Sequence, residues 1–299
     1  MKRLIILFAA CCLTICGCHR NKEVAPPTTF TFADDYGRTV DIPIQPKRVV
    51  SVSPAVTEII FALGGQDLLV GRTDFCNYPE EAANIESIGG ITNLNIEKIV
   101  SLKPDLVISG SMVSKGNTDH LSQMGIPIAC VIEKQKFDGL YENISRIGQL
   151  IGRQAQADSL IGLLKLEIHK VTETKADIYD MGDDMPRPSV YYVVGFGKGG
   201  NYTAGNNTFI NDIIELAGGR NVAEHISGWN FSLESLVASN PNYIVIRKED
   251  SAAFCQMSPY NKLTAVRLNR VIAVDSGMMD IQAPRNVEAV KLLSSILNQ

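Results

Sequence analysis

Hydrophobic positions along the chain follow two alternating periods. Short apolar runs rich in β-branched residues, bounded by turn residues, alternate with stretches whose apolar positions recur every three or four residues. That is the pattern of an α/β protein with mainly parallel sheets. Arg48-Val49-Val50-Ser51-Val52 predicts a strand, Ser53 a helix N-cap and Pro54 its first turn. The helix continues through 57–63 and Gly64-Gly65 ends it. Lys103-Pro104-Asp105 breaks a second helix ahead of the strand Leu106-Val107-Ile108, and Gly125-Ile126-Pro127-Ile128 opens another.

The second half repeats this grammar. Thr57-Glu58-Ile59-Ile60 with Gly64-Gly65 is matched by Asn211-Asp212-Ile213-Ile214 with Gly218-Gly219. Ile96-Glu97-Lys98-Ile99-Val100, followed by Pro104 and a strand, is matched by Leu233-Glu234-Ser235-Leu236-Val237, followed by Pro241 and a strand. Two matches in the same order predict a duplicated lobe. Between the copies, Leu140, Ile144, Ile147, Leu150, Leu160, Leu164 and Ile168 recur at helical spacing, with no proline over 137–176. At 1.5 Å per residue a helix of that length spans about 50 Å, enough to cross a whole lobe. Two helices meeting near Gly152-Arg153 fit the same pattern. The acidic segment 177–188, with two prolines, reads as a loop. The expected fold is α/β: two Rossmann-like lobes, 31–136 and 177–299, joined by one long backbone helix over 137–176. A ligand cleft is expected between the lobes.

The first thirty residues follow neither period. Lys2 and Arg3 precede a short apolar core at 4–13, the layout of a secretory signal peptide and too short for a comfortable permanent span. It closes on Ile15-Cys16-Gly17-Cys18, which resembles a bacterial lipobox with the small Gly17 before a lipidated Cys18. Segment 1–17 is therefore expected to be removed. Segment 18–30, polar with Pro26-Pro27, is expected to tether the body to the periplasmic face of a membrane, through acyl chains on Cys18 alone.

Composition then narrows the chemistry. Of seven cysteines only Cys76, Cys130 and Cys255 remain in the body; three thiols cannot all pair, and they lack metal-ligand spacing. His120, His169 and His225 are far apart, so no metal cage and no resident cofactor is expected. The net charge of −4 grows more negative when Lys2 and Arg3 leave, and no basic stripe remains to hold nucleic acid. Gly195-Phe196-Gly197-Lys198-Gly199-Gly200 follows a strand and satisfies a three-glycine dinucleotide pattern. Such a site needs a helix opening at those glycines. Asn201-Tyr202-Thr203-Ala204-Gly205-Asn206 intervenes, so the segment reads as a loop that lets backbone approach a ligand. No serine sits in a nucleophile elbow and no histidine has an assignable partner, so catalysis is not expected.

Taken in order, the strand-and-turn run from Arg48 to Glu58, Asn77-Tyr78-Pro79, Asn95-Ile96-Glu97, Lys103-Pro104-Asp105-Leu106-Val107, Gly205, Trp229 and Ala283-Pro284-Arg285 form a family pattern. It resembles the helical-backbone substrate-binding proteins of ABC importers for iron–siderophore complexes, haem and vitamin B12. The resemblance covers nearly all of the mature chain. It implies a shallow cleft, little hinge motion, and a permease dimer with its cytoplasmic ATPase as partner. It also implies that an acidic residue on each lobe, here Glu97 and Glu234, docks on that permease. Read from the sequence alone, both carboxylates sit near helix starts, where the helix dipole favours them without any partner.

The same resemblance places the ligand against Pro54, Phe75, Ile91, Ser111, Phe196, Tyr202, Trp229, Met278, Met279 and Arg285. Trp229 suits a flat ligand, although a tryptophan in a glycine-flanked loop also caps cores. The Met278-Met279 pair adapts to irregular apolar surfaces or fills a core. Arg285 pairs a ligand anion or a structural carboxylate. Vitamin B12-binding members tend to carry an aromatic where this chain has Ile91-Thr92, and their late charged pair is not evident over 277–281. An iron chelate (siderophore or haem) is accordingly the first expectation for the ligand, and a corrinoid the second.

Overall fold

The computed structural model describes residues 27–180 and 187–298, with backbone alone over 174–180. The expected signal segment, Cys18 and most of the tether lie outside the described residues. At Thr29 the tether expectation gives way to structure, because β1 (Thr29–Ala33) pairs antiparallel with β2 (Thr39–Pro43). Their alternation buries Phe32 and Ile42 on one face and leaves the other wet.

The first lobe continues with β3 (Val49–Val52), α1 (Pro54–Ala62), β4 (Leu69–Arg72), α2 (Ile96–Ser101), β5 (Leu106–Ser109), α3 (Lys115–Gln123) and β6 (Ile128–Cys130). All four strands run parallel in the order β4-β3-β5-β6. After α4 (Gly139–Leu150) and α5 (Gln154–Asp180) come β7 (Ser189–Val193), α6 (Phe209–Leu216), β8 (Arg220–Asn221), α7 (Leu233–Ser239) and β9 (Tyr243–Arg247). The chain ends with α8 (Lys248–Gln256), α9 (Thr264–Arg267), β10 (Val271–Val274), α10 (Ser276–Asp280) and α11 (Arg285–Leu297). The second sheet, β8-β7-β9-β10, is again all parallel and has the strand order of the first.

The duplication extends to helix ends. Asn95 accepts from the Lys98 N–H to cap α2, and Ser232 accepts from the Ser235 N–H to cap α7. Gly64 and Gly65 donate to Phe61 and Ile60 at the end of α1, just as Gly218 and Gly219 donate to Glu215 and Ile214 after α6. Both pairs make the glycine-terminated helix stop that the repeated Gly-Gly predicts.

The single backbone helix expected over 137–176 is two helices. At the break, Gly152 donates to Gln149 and Arg153 to Gly148. Gly152 has φ +68°, and a Cβ there would lie 2.9 Å from the Ile44 carbonyl oxygen. Only glycine fits both requirements. The apolar period runs across the break because α4 and α5 pack on each other and on the same core. The second helix, α5, also continues to Asp180, past the expected start of the loop at 177.

Successive residues of the central strands face opposite cores. Val49, Leu106 and Ile108 face one cluster, and Val50, Val52 and Val107 another. In the second lobe Val190, Tyr192 and Val245 face inward, while Tyr191, Ile244 and Ile246 face a separate outer cluster. The inward faces of both lobes share one continuous core with α1, α4, α6 and α11. Polar links reinforce it: the Gln282 side chain accepts from the Lys134 N–H and donates to the Lys134 and Lys136 carbonyls.

Candidate functional site

In both sheets the strands point their C-terminal ends toward the gap between lobes, where ligands of open α/β sheets bind. The loop after β3 brings Pro54, and the loop after β5 brings Ser111 and Met112. The chain beyond β6 brings Glu133; the second lobe contributes Trp229 from its 228–231 turn and Asp280 and Ile281 from the end of α10. They enclose a cavity of about 250 Å³. It adjoins a second cavity of about 490 Å³, reached past Phe75, Asn77, Thr92 and Ser276. Pro54, Ile91, Met112 and Ile281 line both, so the two form one cleft.

Its mouth is apolar. Phe75 is 59% exposed, Met112 62% and Trp229 45%, and their clustering at one opening makes the kind of exposed apolar patch that marks a binding site. Trp229 is nonetheless held in place. Its carbonyl accepts from the Thr203 N–H, and the neighbouring Asn230 forms a bridge with Tyr202.

Among the described residues the cleft's ionisable side chains are two carboxyls, one per lobe, beside neutral polar groups such as Ser53, Ser111, Asn77 and Asn93. Glu133 accepts from the Ser111 N–H at 3.2 Å and from the Ser53 hydroxyl at 3.4 Å. Asp280 accepts from the buried Tyr192 hydroxyl at 2.5 Å. The open cleft leaves the Asp280 side chain accessible to water, while protein crowds its other sides. That burial pushes its carboxyl above the ordinary range, although Tyr192 and the charge of Arg247 oppose it. The Tyr192 phenol is raised in turn, by burial and then by Asp280.

Of the residues expected to contact ligand, the structure brings Pro54, Phe75, Ile91, Ser111 and Trp229 to the cleft walls. Met279 is fully buried in the shared core, and Met278 packs half-buried against it; both fill space between α10 and α11 rather than facing a ligand. Phe196 is turned into an aromatic cluster with Phe254 and Tyr260. Tyr202 is 38% exposed but lines neither cavity. The glycines around it have a steric reason, since a Cβ on Gly195 or Gly200 would press on its ring at 3.1 or 3.2 Å. No long helix opens at these glycines; α6 begins only at Phe209.

Arg285 also leaves the ligand list. Its guanidinium makes a bidentate pair with Glu58 at 2.6 and 2.8 Å, reaches Asp275 at 2.8 Å and stacks 3.7 Å from the Tyr78 ring centroid. It borders a different groove, of about 610 Å³, between α1, α5 and α11. Met112, Glu133, Asp280 and Ile281 were not foreseen. Glu133 and Asp280 each follow the last strand of their lobe's parallel sheet, and that equivalence was the signal available.

Glu97 and Glu234 occupy the first turns of α2 and α7. Both are exposed, and neither is in an ion pair among the described residues. Cys76, Cys130 and Cys255 are unpaired, and burial raises the Cys130 thiol to about 11. Among the described residues no group of histidines, cysteines and carboxylates is placed to hold a metal ion, and no helix is long and apolar enough to cross a membrane.

A two-lobed α/β body whose strand ends converge on an interlobe cleft defines a solute-binding protein. The pattern of the family described as periplasmic binding protein matches residues 49–277, and the chain belongs to that family. It is 31% identical to the ABC transporter substrate-binding lipoprotein YvrC of Bacillus subtilis (strain 168), over 97% of this chain and 94% of that protein. It is 28% identical to a cobalamin-binding protein of Halobacterium salinarum, over 93% of this chain and 76% of that protein. Among solved structures, the periplasmic heme-binding protein RhuT of Roseiflexus sp. RS-1 superposes with a TM-score of 0.74 at 25% identity. That match covers 85% of this chain and 99% of the other.

Proposed function

We propose that the protein is the extracytoplasmic substrate-binding lipoprotein of an ABC importer, and that it captures a corrinoid whole and hands it to the permease. The observation that carries the ligand choice is the cleft lining. It is apolar at the mouth, and among the described residues no lysine or arginine lines either cavity. Haem brings two carboxylates and catecholate iron complexes bring several negative charges, all of which need cationic partners when buried. A corrinoid bordered by carboxamides does not. The cobalamin-binding relative supports the same choice. Corrinoid therefore takes precedence over the iron chelate that the sequence put first.

The iron-chelate reading keeps specific support from the heme-binding protein whose fold covers 85% of this chain, and from a possible iron-binding protein of Staphylococcus epidermidis at 27% identity. Lipidation at Cys18 is supported by the lipobox-like Gly17-Cys18 and by the lipoprotein relative. Glu97 and Glu234, exposed at equivalent places on the two lobes, suit docking against cations on a permease with related halves. Binding and release without turnover is the activity proposed.

The single tryptophan makes the test direct. Fluorescence of the purified protein would be titrated with cobalamin, cobinamide, haem and ferric siderophores, corrected for absorption by the coloured ligands and repeated by calorimetry. Saturable quenching by cobalamin or cobinamide at micromolar or lower concentration is expected. Tighter binding of haem or of a ferric siderophore overturns the corrinoid assignment.

A further inference from the structure

We infer that Glu133 and Asp280 form a cross-lobe acceptor pair that selects ligands by charge, taking a face that carries N–H donors or positive charge and rejecting one that carries carboxylates. This rests on the chelate-binding reading of the cleft and assigns its selectivity to two residues that line the same 250 Å³ cavity.

Geometry supports the assignment. Each carboxyl is held by donors of its own lobe, the Ser111 N–H and Ser53 hydroxyl for Glu133 and the Tyr192 O–H for Asp280. A carboxylate has about four acceptor directions, so these bonds leave spare capacity on two groups that line the cavity. No ion pair with either carboxyl forms among the described residues. Arg247, whose charge Asp280 feels, is committed to Asp250 at 2.7 Å, and Lys134 to Asp35 at 3.0 Å. Trp229 lines the same cavity, so a flat ligand lying on the indole would carry its peripheral substituents toward the carboxyls. Primary carboxamides or ammonium groups would then donate charge-assisted hydrogen bonds to them. Ligand carboxylates would meet like charge in a partly dry site, which costs affinity steeply.

The test compares matched probes that differ chiefly in peripheral charge. Dicyanocobinamide would be set against dicyanocobyrinic acid, whose side chains are carboxylates, and haem dimethyl ester against haem. Binding to the purified protein, to the single variants Glu133→Gln and Asp280→Asn, and to the double variant would be measured by calorimetry, with thermal melting to check folding. The uncharged member of whichever pair binds should be preferred by about tenfold or more. That preference should fall to about threefold or less in the double variant. An unchanged preference there overturns the inference. So does equal or tighter binding of the carboxylate member by the unsubstituted protein, a result that needs no variant to fold. If cobinamide binds and the preference is flat, the ligand reading stands and only the acceptor pair falls. If none of the four probes binds, the chelate reading fails and the pair falls with it.

Discussion

Arg285 holds two carboxylates and one aromatic ring at once, and the charges around it do not balance. Glu58, 3% exposed, has one cation and a second carboxylate nearby; burial raises its proton affinity, Arg285 lowers it, and Asp275 raises it further, for a net rise. Burial works to deprotonate Arg285, but Glu58 and Asp275 together hold it above its ordinary value. The two directions agree, because the triad as a whole carries a surplus negative charge and so retains protons. Arg285→Met would leave Glu58 buried without its cation, and breaking such a pair costs about 3–5 kcal/mol. Denaturant unfolding should show that loss, while affinity for cobinamide stays within about threefold. Lost affinity at unchanged stability would return Arg285 to the ligand site. The opposite outcome is expected at Trp229. Trp229→Ala should weaken cobinamide binding about tenfold and leave stability within about 0.5 kcal/mol, since the ring is half in solvent. What the sequence could convey at this scale was residue type and neighbours. It marked Trp229 and Arg285 alike as unusual, but only the fold shows that one faces the cleft and the other a carboxylate 227 positions away.

Elements were legible where local chemistry decides them. Gly-Gly after α1 and α6 and the polar caps of α2 and α7 are written in adjacent residues, so the duplicated lobes could be read directly. The α4–α5 break was legible only as an alternative near Gly152-Arg153, because both helices present apolar residues to one core and the period carries across. Gly152→Ala should therefore cost about 1–2 kcal/mol, from the left-handed backbone and the Ile44 carbonyl together. A cost near zero by thermal melting would mean the joint can straighten. The β1–β2 hairpin was missed because its first residues blend into a polar, proline-bearing tether. Its attachment depends on Asp35, which accepts from the Ile132 N–H at 2.7 Å, Lys134 at 3.0 Å and Arg146 at 2.7 Å. Burial alone would raise the Asp35 carboxyl, but these three donors hold it below its ordinary value. A depressed carboxylate stabilises the fold above its unfolded pKa of about 3.9 and loses that contribution as pH falls through the folded value. Asp35→Asn should thus be less stable than the parent by a constant amount above about pH 5, with the two curves converging below pH 4. A gap that persists undiminished to pH 2 would show that Asp35 acts by packing alone.

At the scale of the whole molecule, the inward faces of both sheets, α4, α6 and α11 belong to one core, so the lobes cannot separate far without exposing it. A cleft between lobes so joined admits ligand by being open rather than by closing over it, and the exposed Phe75, Met112 and Trp229 are the corollary. The permease must then distinguish loaded from empty protein by small changes at the cleft rim, while the lobes supply a fixed footprint. Glu97 and Glu234 are the residues proposed for that footprint, since duplication sets them at equivalent turns of α2 and α7. Each is joined one helical turn on by an exposed apolar residue, Val100 at 38% and Val237 at 48%. Reversing both glutamates to arginine alters charge at two exposed positions that bear no packing load, so cobinamide affinity should stay near parental. Stability should fall only by about 1 kcal/mol per site, from the reversed helix-dipole interaction. Uptake of labelled cobinamide by cells carrying the double variant should nonetheless be lost, because two repelled contacts replace two attractive ones at the membrane. Single reversals should give intermediate uptake, since one lobe would still be held. Normal uptake by the double variant would remove both glutamates from the docking surface, whatever ligand the cleft carries.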